Sequence, residues 1–210
     1  MNILDSLEWR YATKKFDNIT ILTEKAIERL SIAFNLTATS YGLQPIQLKI
    51  VKNKGLQARM KEASMGQEQV STASHVLVFC VENKISKAFI NAYFDTIKET
   101  REGDIQGVDV YNKILVDRFS VKTAEQIKDW ATKQAYLALG NLLTVCAVEQ
   151  IDSCPMEGFI PKQIDEILEL EKENLSSVLL LPIGKRAEDD KNAVHKKVRR
   201  PLKSIVGMIS

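Results

Sequence analysis

The 210-residue chain has only two histidines, His75 and His195, and three cysteines, Cys80, Cys146 and Cys154. With no Cys or Asp cluster around either histidine, a zinc centre built from three or four protein ligands is not expected. The same shortage argues against a Ser-His-Asp or Cys-His nucleophile. The cysteines are odd in number, lack CxxC spacing and sit in apolar stretches such as Val78-Phe79-Cys80-Val81. Buried, reduced thiols and a reducing compartment are therefore expected.

Nine glycines and five prolines are few, so long loops should be scarce. No GxGxxG follows a strand pattern and no GxxxxGK[ST] occurs, which disfavours a Rossmann dinucleotide fold and a P-loop. The longest apolar stretch, Leu137 to Val148, is interrupted by Gly140 and Asn141 and is too short to span a bilayer. Met1-Asn2-Ile3-Leu4-Asp5 lacks the basic start and apolar core of a signal peptide. No membrane association and a cytoplasmic location are the resulting expectations. A net charge of +2 is too small to draw the whole molecule onto nucleic acid, so any basic character is local.

What is present is the composition of a globular domain, 45% hydrophobic and 27% charged, and the length suits one domain spanning 1–210. Residues 2–10 read as a short helix. Ala26, Ile27, Leu30, Ala33 and Phe34 recur at three and four behind Thr23, as on a one-sided helix. Ile46 to Val51 alternates as a half-buried strand, and Asn53 caps a helix to about Ala63 that Gly66 ends. His75 to Val81 is an unbroken β-branched and apolar run, the pattern of a central strand. Residues 85–120 are helical in composition with a break near 103–107. Thr123-Ala124-Glu125-Gln126 is a capping box opening a helix to Glu149, whose small residues (Ala131, Ala135, Ala138, Gly140, Ala147) would admit close neighbours. A short strand at 150–154, a helix from Pro161 and a strand at 177–184 complete the chain. Long helices and about four strands without strict βαβ alternation predict an α+β fold.

Two basic segments stand at opposite ends. They are Arg10-Tyr11-Ala12-Thr13-Lys14-Lys15-Phe16 and His195-Lys196-Lys197-Val198-Arg199-Arg200-Pro201. Each alone fits a solvated face or a helix end, where cations complement the dipole. Together they suggest cations gathered by folding around one anion, a task that suits the planar fork of arginine. The basic tail could equally touch nucleic acid, but it lacks the interleaved aromatics on which bases stack. Beyond Pro201 the apolar stretch Leu202 to Ile209 suggests packing on another subunit. Cys154-Pro155-Met156-Glu157-Gly158-Phe159 reads either as plain turn chemistry or as a loop offering backbone N–H groups to a flat ligand.

Six motifs occur in one order and at one set of spacings: Arg10-x-x-Thr13-Lys14-x-Phe16, Gln44-Pro45, Ala73-Ser74-His75-Val76, Gly140-Asn141, Pro155-Met156-Glu157-Gly158-Phe159 and Lys197-x-Arg199. In this the chain resembles the FMN-dependent nitroreductases, most closely the bacterial oxygen-insensitive NAD(P)H type, a group shared with flavin and dihydropteridine reductases. The resemblance implies a nitroreductase-like α+β fold, with a central, mainly antiparallel sheet flanked by helices. It also implies a homodimer with FMN at the subunit interface and residues 200–210 exchanged between protomers. Arg10, Lys197 and Arg199 would hold the FMN phosphate, with Tyr11 and Ala12 beside them, and Lys14 would lie at the pyrimidine edge. Pro155, Met156, Glu157 and Gly158 would line the flavin, the Glu157-Gly158 backbone near N5, and no side chain would act as a catalytic acid or base. Thr39 and Ser40 would come from the other subunit, with Gly42 among the cofactor-binding positions and Gln134 close to the flavin.

The sequence departs from the family pattern at Ala12, where a phosphate-binding serine is common, and at Gly42, where asparagine is frequent. Gln67 and Gln69 replace an Asn and a Lys near the pyrimidine. Lys14, Tyr41, Tyr111 and Phe119 are the substrate-side candidates, the last two as a mobile aromatic over the site. The implied reaction is ping-pong hydride transfer from NADH or NADPH to a small oxidant such as a nitroaromatic or quinone. Dihydropteridine or free-flavin reduction is the alternative on the same fold, and a nucleic-acid-binding protein using the basic tail is the alternative of another class.

Overall fold

In a computed structural model describing residues 2–101 and 106–209, the chain builds one antiparallel sheet with helices on both faces. The strands are β1 (Ile46–Val51), β2 (His75–Glu82), β3 (Asp152–Ser153) and β4 (Leu175–Gly184), in the order β1-β2-β4-β3. All three pairings are antiparallel, and a register shift opposite Phe79 and Cys80 puts a bulge in β4. The α+β class expected from the sequence is what the chain adopts.

The helices are α1 (Ile3–Trp9), α2 (Glu24–Asn35), α3 (Lys54–Glu62), the single turn α4 (Gln69–Thr72), α5 (Lys87–Arg101), α6 (Val108–Ser120), α7 (Ala124–Val148) and α8 (Pro161–Leu168). Their starts follow the side chains before them. Asn2, Thr23, Asn53 and Thr123 each accept a backbone N–H of the first turn, and Asn2 and Thr123 do so in reciprocal capping boxes. Part of the break expected at 103–107 lies outside the described residues.

Strand β2 is fully buried from Val76 to Val81 because both its edges and both its faces are covered. Its alternate residues feed two different cores. Val76, Val78 and Cys80 meet Met60, Val70, Ile164 and Leu170, whereas Leu77, Phe79 and Val81 meet α7 and Leu30 of α2. Helix α7 comes close through Ala131, Ala135 and Ala138, all without exposed surface. Gly140 does not share that role: it faces outward, with nothing within 4 Å of where a side chain would begin. A third core, around Phe94, Leu115, Phe119 and Ile127, joins α5 and α6 to the start of α7. No described helix is long and apolar enough to cross a membrane.

The strand expected at 150–154 pairs over two residues only. Beyond Ser153 the backbone stays on β4 in the same register, the Cys154 N–H donating to the Pro182 carbonyl and Met156 pairing with Leu180 as an isolated bridge. This run keeps Pro155 and Met156 at the β3 end of the sheet.

Candidate functional site

Both chain ends are drawn to this same end of the sheet. Helix α1 stops at Trp9 because Arg10 turns extended, its N–H closing on the Ser6 carbonyl. The segment after it lies along the sheet, with Ala12 bridged to Ser153 and Phe16 to Arg186. From the other direction, the chain leaving β4 passes Arg186, makes a turn at Lys191–Val194 and runs back past α1. There the Lys197 ammonium donates to the Arg10 carbonyl.

Between these segments lies a cleft of about 670 Å³, lined by Arg10, Tyr11, Ala12, Lys14, Pro155, Lys197 and Arg199 among others. Seven of the sequence-predicted cofactor residues therefore share one cavity. Lys196 lines it too. Lys15 stands outside, paired with Asp189.

The charges in the cleft are unbalanced. Five Lys and Arg side chains face one carboxylate, Glu8. Burial lowers the Arg10 pKa and the charge of Arg199 lowers it further; burial, then Arg10 and Arg199, do the same to Lys197. Arg10 Nε is shut away from solvent with no hydrogen-bond partner. Leaving a charged donor buried and unpaired costs roughly 1–3 kcal/mol or more. Cations that disfavour one another around an orphaned donor form a site suited to an anion with several oxygens.

The loop that follows Pro155 is held by side-chain hydrogen bonds. Gln67 Nε2 donates to the Gly158 carbonyl at 2.8 Å, and the buried Gln69 donates to Gln67 Oε1 at 2.9 Å. Tyr136 Oη donates to the Glu157 carboxylate at 2.5 Å, which raises the tyrosine pKa. Lys14 Nζ lies 3.7 Å from Cys154 Sγ; burial raises that thiol's pKa and the lysine partly offsets it. Met156 offers the cleft nothing polar. Its side chain is buried and its N–H and C=O both pair with Leu180.

The remaining candidates lie elsewhere on the protomer. Thr39, Ser40, Tyr41 and Gly42 form a tight turn tied to α7, where the Ser40 N–H donates to Gln134 Oε1 at 2.8 Å. Tyr41 adopts φ +62° and accepts a hydrogen bond from Arg118, its ring against Phe119 and Trp130. Gly42, at φ +72°, has the Tyr93 hydroxyl 2.1 Å from where a Cβ would stand. Phe119 is only 2% exposed, held by Tyr41 and Trp130 in the third core. It cannot serve as a mobile aromatic there, because moving it would open that core. Tyr111 remains 43% exposed on α6 against Phe94.

Three residues that organise the cleft are missed by the sequence reading. Asp190, 5% exposed, accepts from the N–H groups of Lys14 and Lys15, the Tyr11 hydroxyl and the N–H of Asn192. Asp152 accepts from Arg186 Nε at 2.6 Å and from the Arg186 N–H at 2.8 Å. Arg186 in turn lies over the rings of Trp9 and Tyr11, 4.4 and 4.6 Å from their centres, pinning the end of α1. The only sequence signal was Asp190 two residues before Asn192, a pattern too common in loops to point anywhere.

The chain matches the nitroreductase family model over residues 7–185. It is 33% identical over 215 residues to a provisionally named NAD(P)H nitroreductase of Staphylococcus epidermidis, spanning 99% of this chain and 96% of that protein. Its fold is that of a provisionally named nitroreductase from Bacillus subtilis, with a TM-score of 0.87 at 19% identity, covering 98% of both chains. A provisionally named nitroreductase from Exiguobacterium sibiricum, solved in complex with FMN, superposes with a TM-score of 0.86 at 21% identity over 100% of this chain and 98% of that one.

Proposed function

The chain belongs to the nitroreductase family, and from that premise we propose that it is an FMN-dependent NAD(P)H oxidoreductase acting as a homodimer on small oxidants such as nitroaromatics and quinones. One observation carries the reading: Arg10, Lys197 and Arg199, gathered from opposite ends of the chain, line one cleft in which burial and their neighbours' charge disfavour the cations of Arg10 and Lys197, around an Arg10 Nε that has no partner. A phosphate dianion would relieve that repulsion and accept the idle donor. When bound, FMN would supply the hydride relay between NADH or NADPH and the oxidant, each visiting in turn.

The chain's own residues divide the remaining work. Arg10, Lys197 and Arg199 would bind the phosphate, flanked by Tyr11 and Ala12. Lys14 would place positive charge beside the ring, and Gln67, Gln69 and the Glu157–Gly158 backbone would orient it through hydrogen bonds without acid–base chemistry. Thr39, Ser40, Gly42 and Gln134 form a separate, pre-built surface, which a second copy would bring to the cleft. The tail supports such a dimer. Met208 and Ile209 are fully exposed and Leu202 is 72% exposed, an apolar strip that a second copy would cover, with residues 200–210 as its exchanged arm.

The test is to load the purified protein with FMN, pass it through gel filtration and record its absorption spectrum. Turnover of NADH and NADPH with a nitroaromatic and with a quinone should then be measured. Retained flavin bands with acceptor-dependent NAD(P)H oxidation are expected; a colourless protein after loading would overturn the reading.

A further inference from the structure

We propose that Asp190 is a positioning residue that builds the phosphate end of this cleft, holding the two basic segments in register; the inference rests on the FMN reading above. The two oxygens of its carboxylate do different jobs. Oδ1 accepts the Asn192 N–H at 3.0 Å and starts the turn Lys191–Val194, the ordinary task of a capping aspartate. Oδ2 faces the other end of the chain. It accepts the Lys14 N–H at 2.9 Å, the Lys15 N–H at 3.3 Å and the Tyr11 hydroxyl at 3.0 Å. A cap alone does not account for those three donors, which lie more than 170 residues away in sequence.

The result is a link between the two segments that carry the cations. Tyr11 and Lys14 flank or follow Arg10 on one side, while the turn capped by Oδ1 leads directly to Lys197 and Arg199 on the other. Three cations that repel one another need a firmly held backbone beneath them, and Asp190 bonds both segments that carry them. Asp190 is buried and accepts four hydrogen bonds, and its oxygens point at backbone and Tyr11, not at the cleft cations. Burial works against its charged form, but the donors from Asn192, Lys14, Lys15 and Tyr11 hold its pKa below the usual value. The neighbouring Asp189 gives an internal contrast: it is exposed and pairs only with Lys15 at the surface. Asp190 also lies beyond the stretch matched by the family model, which ends at residue 185.

The test compares FMN with riboflavin, which lacks the phosphate, by fluorescence titration of flavin-free wild type, Asp190→Asn, Tyr11→Phe and Asp189→Asn. Asp190→Asn keeps the shape and loses acceptor strength, and the expected result is an FMN Kd about tenfold higher, equivalent to about 1.4 kcal/mol. Riboflavin affinity should change less than twofold, so the preference for FMN falls about tenfold. Tyr11→Phe should move the preference about threefold in the same direction, and Asp189→Asn should leave it unchanged. Charge arithmetic alone predicts the opposite sign, since removing a carboxylate near a cationic cleft should tighten phosphate binding. An unchanged or increased FMN preference in Asp190→Asn, or an equal loss for both ligands, overturns the inference. If Asp190→Asn fails to fold, an unchanged preference in Tyr11→Phe overturns it. Wild type that binds neither ligand, or both equally, contradicts the FMN reading itself.

Discussion

Around the cleft, segments between 34 and 187 residues apart are joined by charge: Lys197 on the Arg10 carbonyl, Asp190 under Lys14 and Lys15, Arg186 on Asp152. At the turn Thr39–Gly42 no ion pair takes part in holding the backbone. Its shape comes from two left-handed residues, aromatic packing and a neutral amide contact to Gln134. One region is an electrostatic assembly whose parts are distant in sequence. The other is a steric one, a turn packed against side chains of α5, α6 and α7. Substitutions should therefore fail differently in the two: cleft variants should lose affinity for the phosphate, and turn variants should lose stability without distinguishing the two flavins.

The largest effect is expected at Arg10. On the proposed assignment, Arg10→Ala would remove a forked contact to the phosphate whose charge-assisted bonds are worth roughly 1.5–3 kcal/mol each, so the FMN Kd should rise about 100-fold or more while the riboflavin Kd stays nearly constant. Equal losses for both flavins would erase the contrast between the regions. Next is Gly42→Ala. A side chain there meets Tyr93 at 2.1 Å with the backbone at φ +72°. The left-handed conformation alone costs about 1–2 kcal/mol. A fall in Tm of roughly 2–8 °C by calorimetry should follow, with the FMN-to-riboflavin preference intact.

The smallest effect concerns acid. The Asp190 pKa is lowered on folding, so its stabilising contribution is complete above the ordinary carboxylate value of 3.8 and is lost as pH falls through the lower folded value. The stability difference between wild type and Asp190→Asn should be flat from pH 8 to 5 and shrink only below about pH 4. Urea midpoints measured across that range check it; a difference that already declines near pH 6 would assign it to another group.

Much of the fold was legible because its signals are local. Thr123 and Gln126, Asn53 and the His75–Val81 run each announce an element within a few residues of themselves. The single turn α4 and the bulge in β4 were not, since both are consequences of packing and pairing. In the site, the cations were readable because Arg and Lys are conspicuous at chain ends, and the resemblance supplied their register. Asp190 sits in Ala187-Glu188-Asp189-Asp190-Lys191, a stretch that looks like solvated loop, and only the fold shows which of its three acids is buried. Phe119 misled for the converse reason. An aromatic on an amphipathic helix says nothing of whether a neighbouring loop, here Tyr41, closes over it.

Arg199 and Arg200 are adjacent, carry the same charge and differ in where they point. Arg199 lines the cleft, whereas Arg200 reaches the Ser204 carbonyl on the exposed tail. The FMN dissociation constants of Arg199→Ala and Arg200→Ala, measured side by side, therefore test position with net charge held equal. A rise of about tenfold or more for Arg199→Ala, with Arg200→Ala within about twofold of wild type, is the predicted result. Equal constants for the two would contradict the assignment of this cleft to the FMN phosphate.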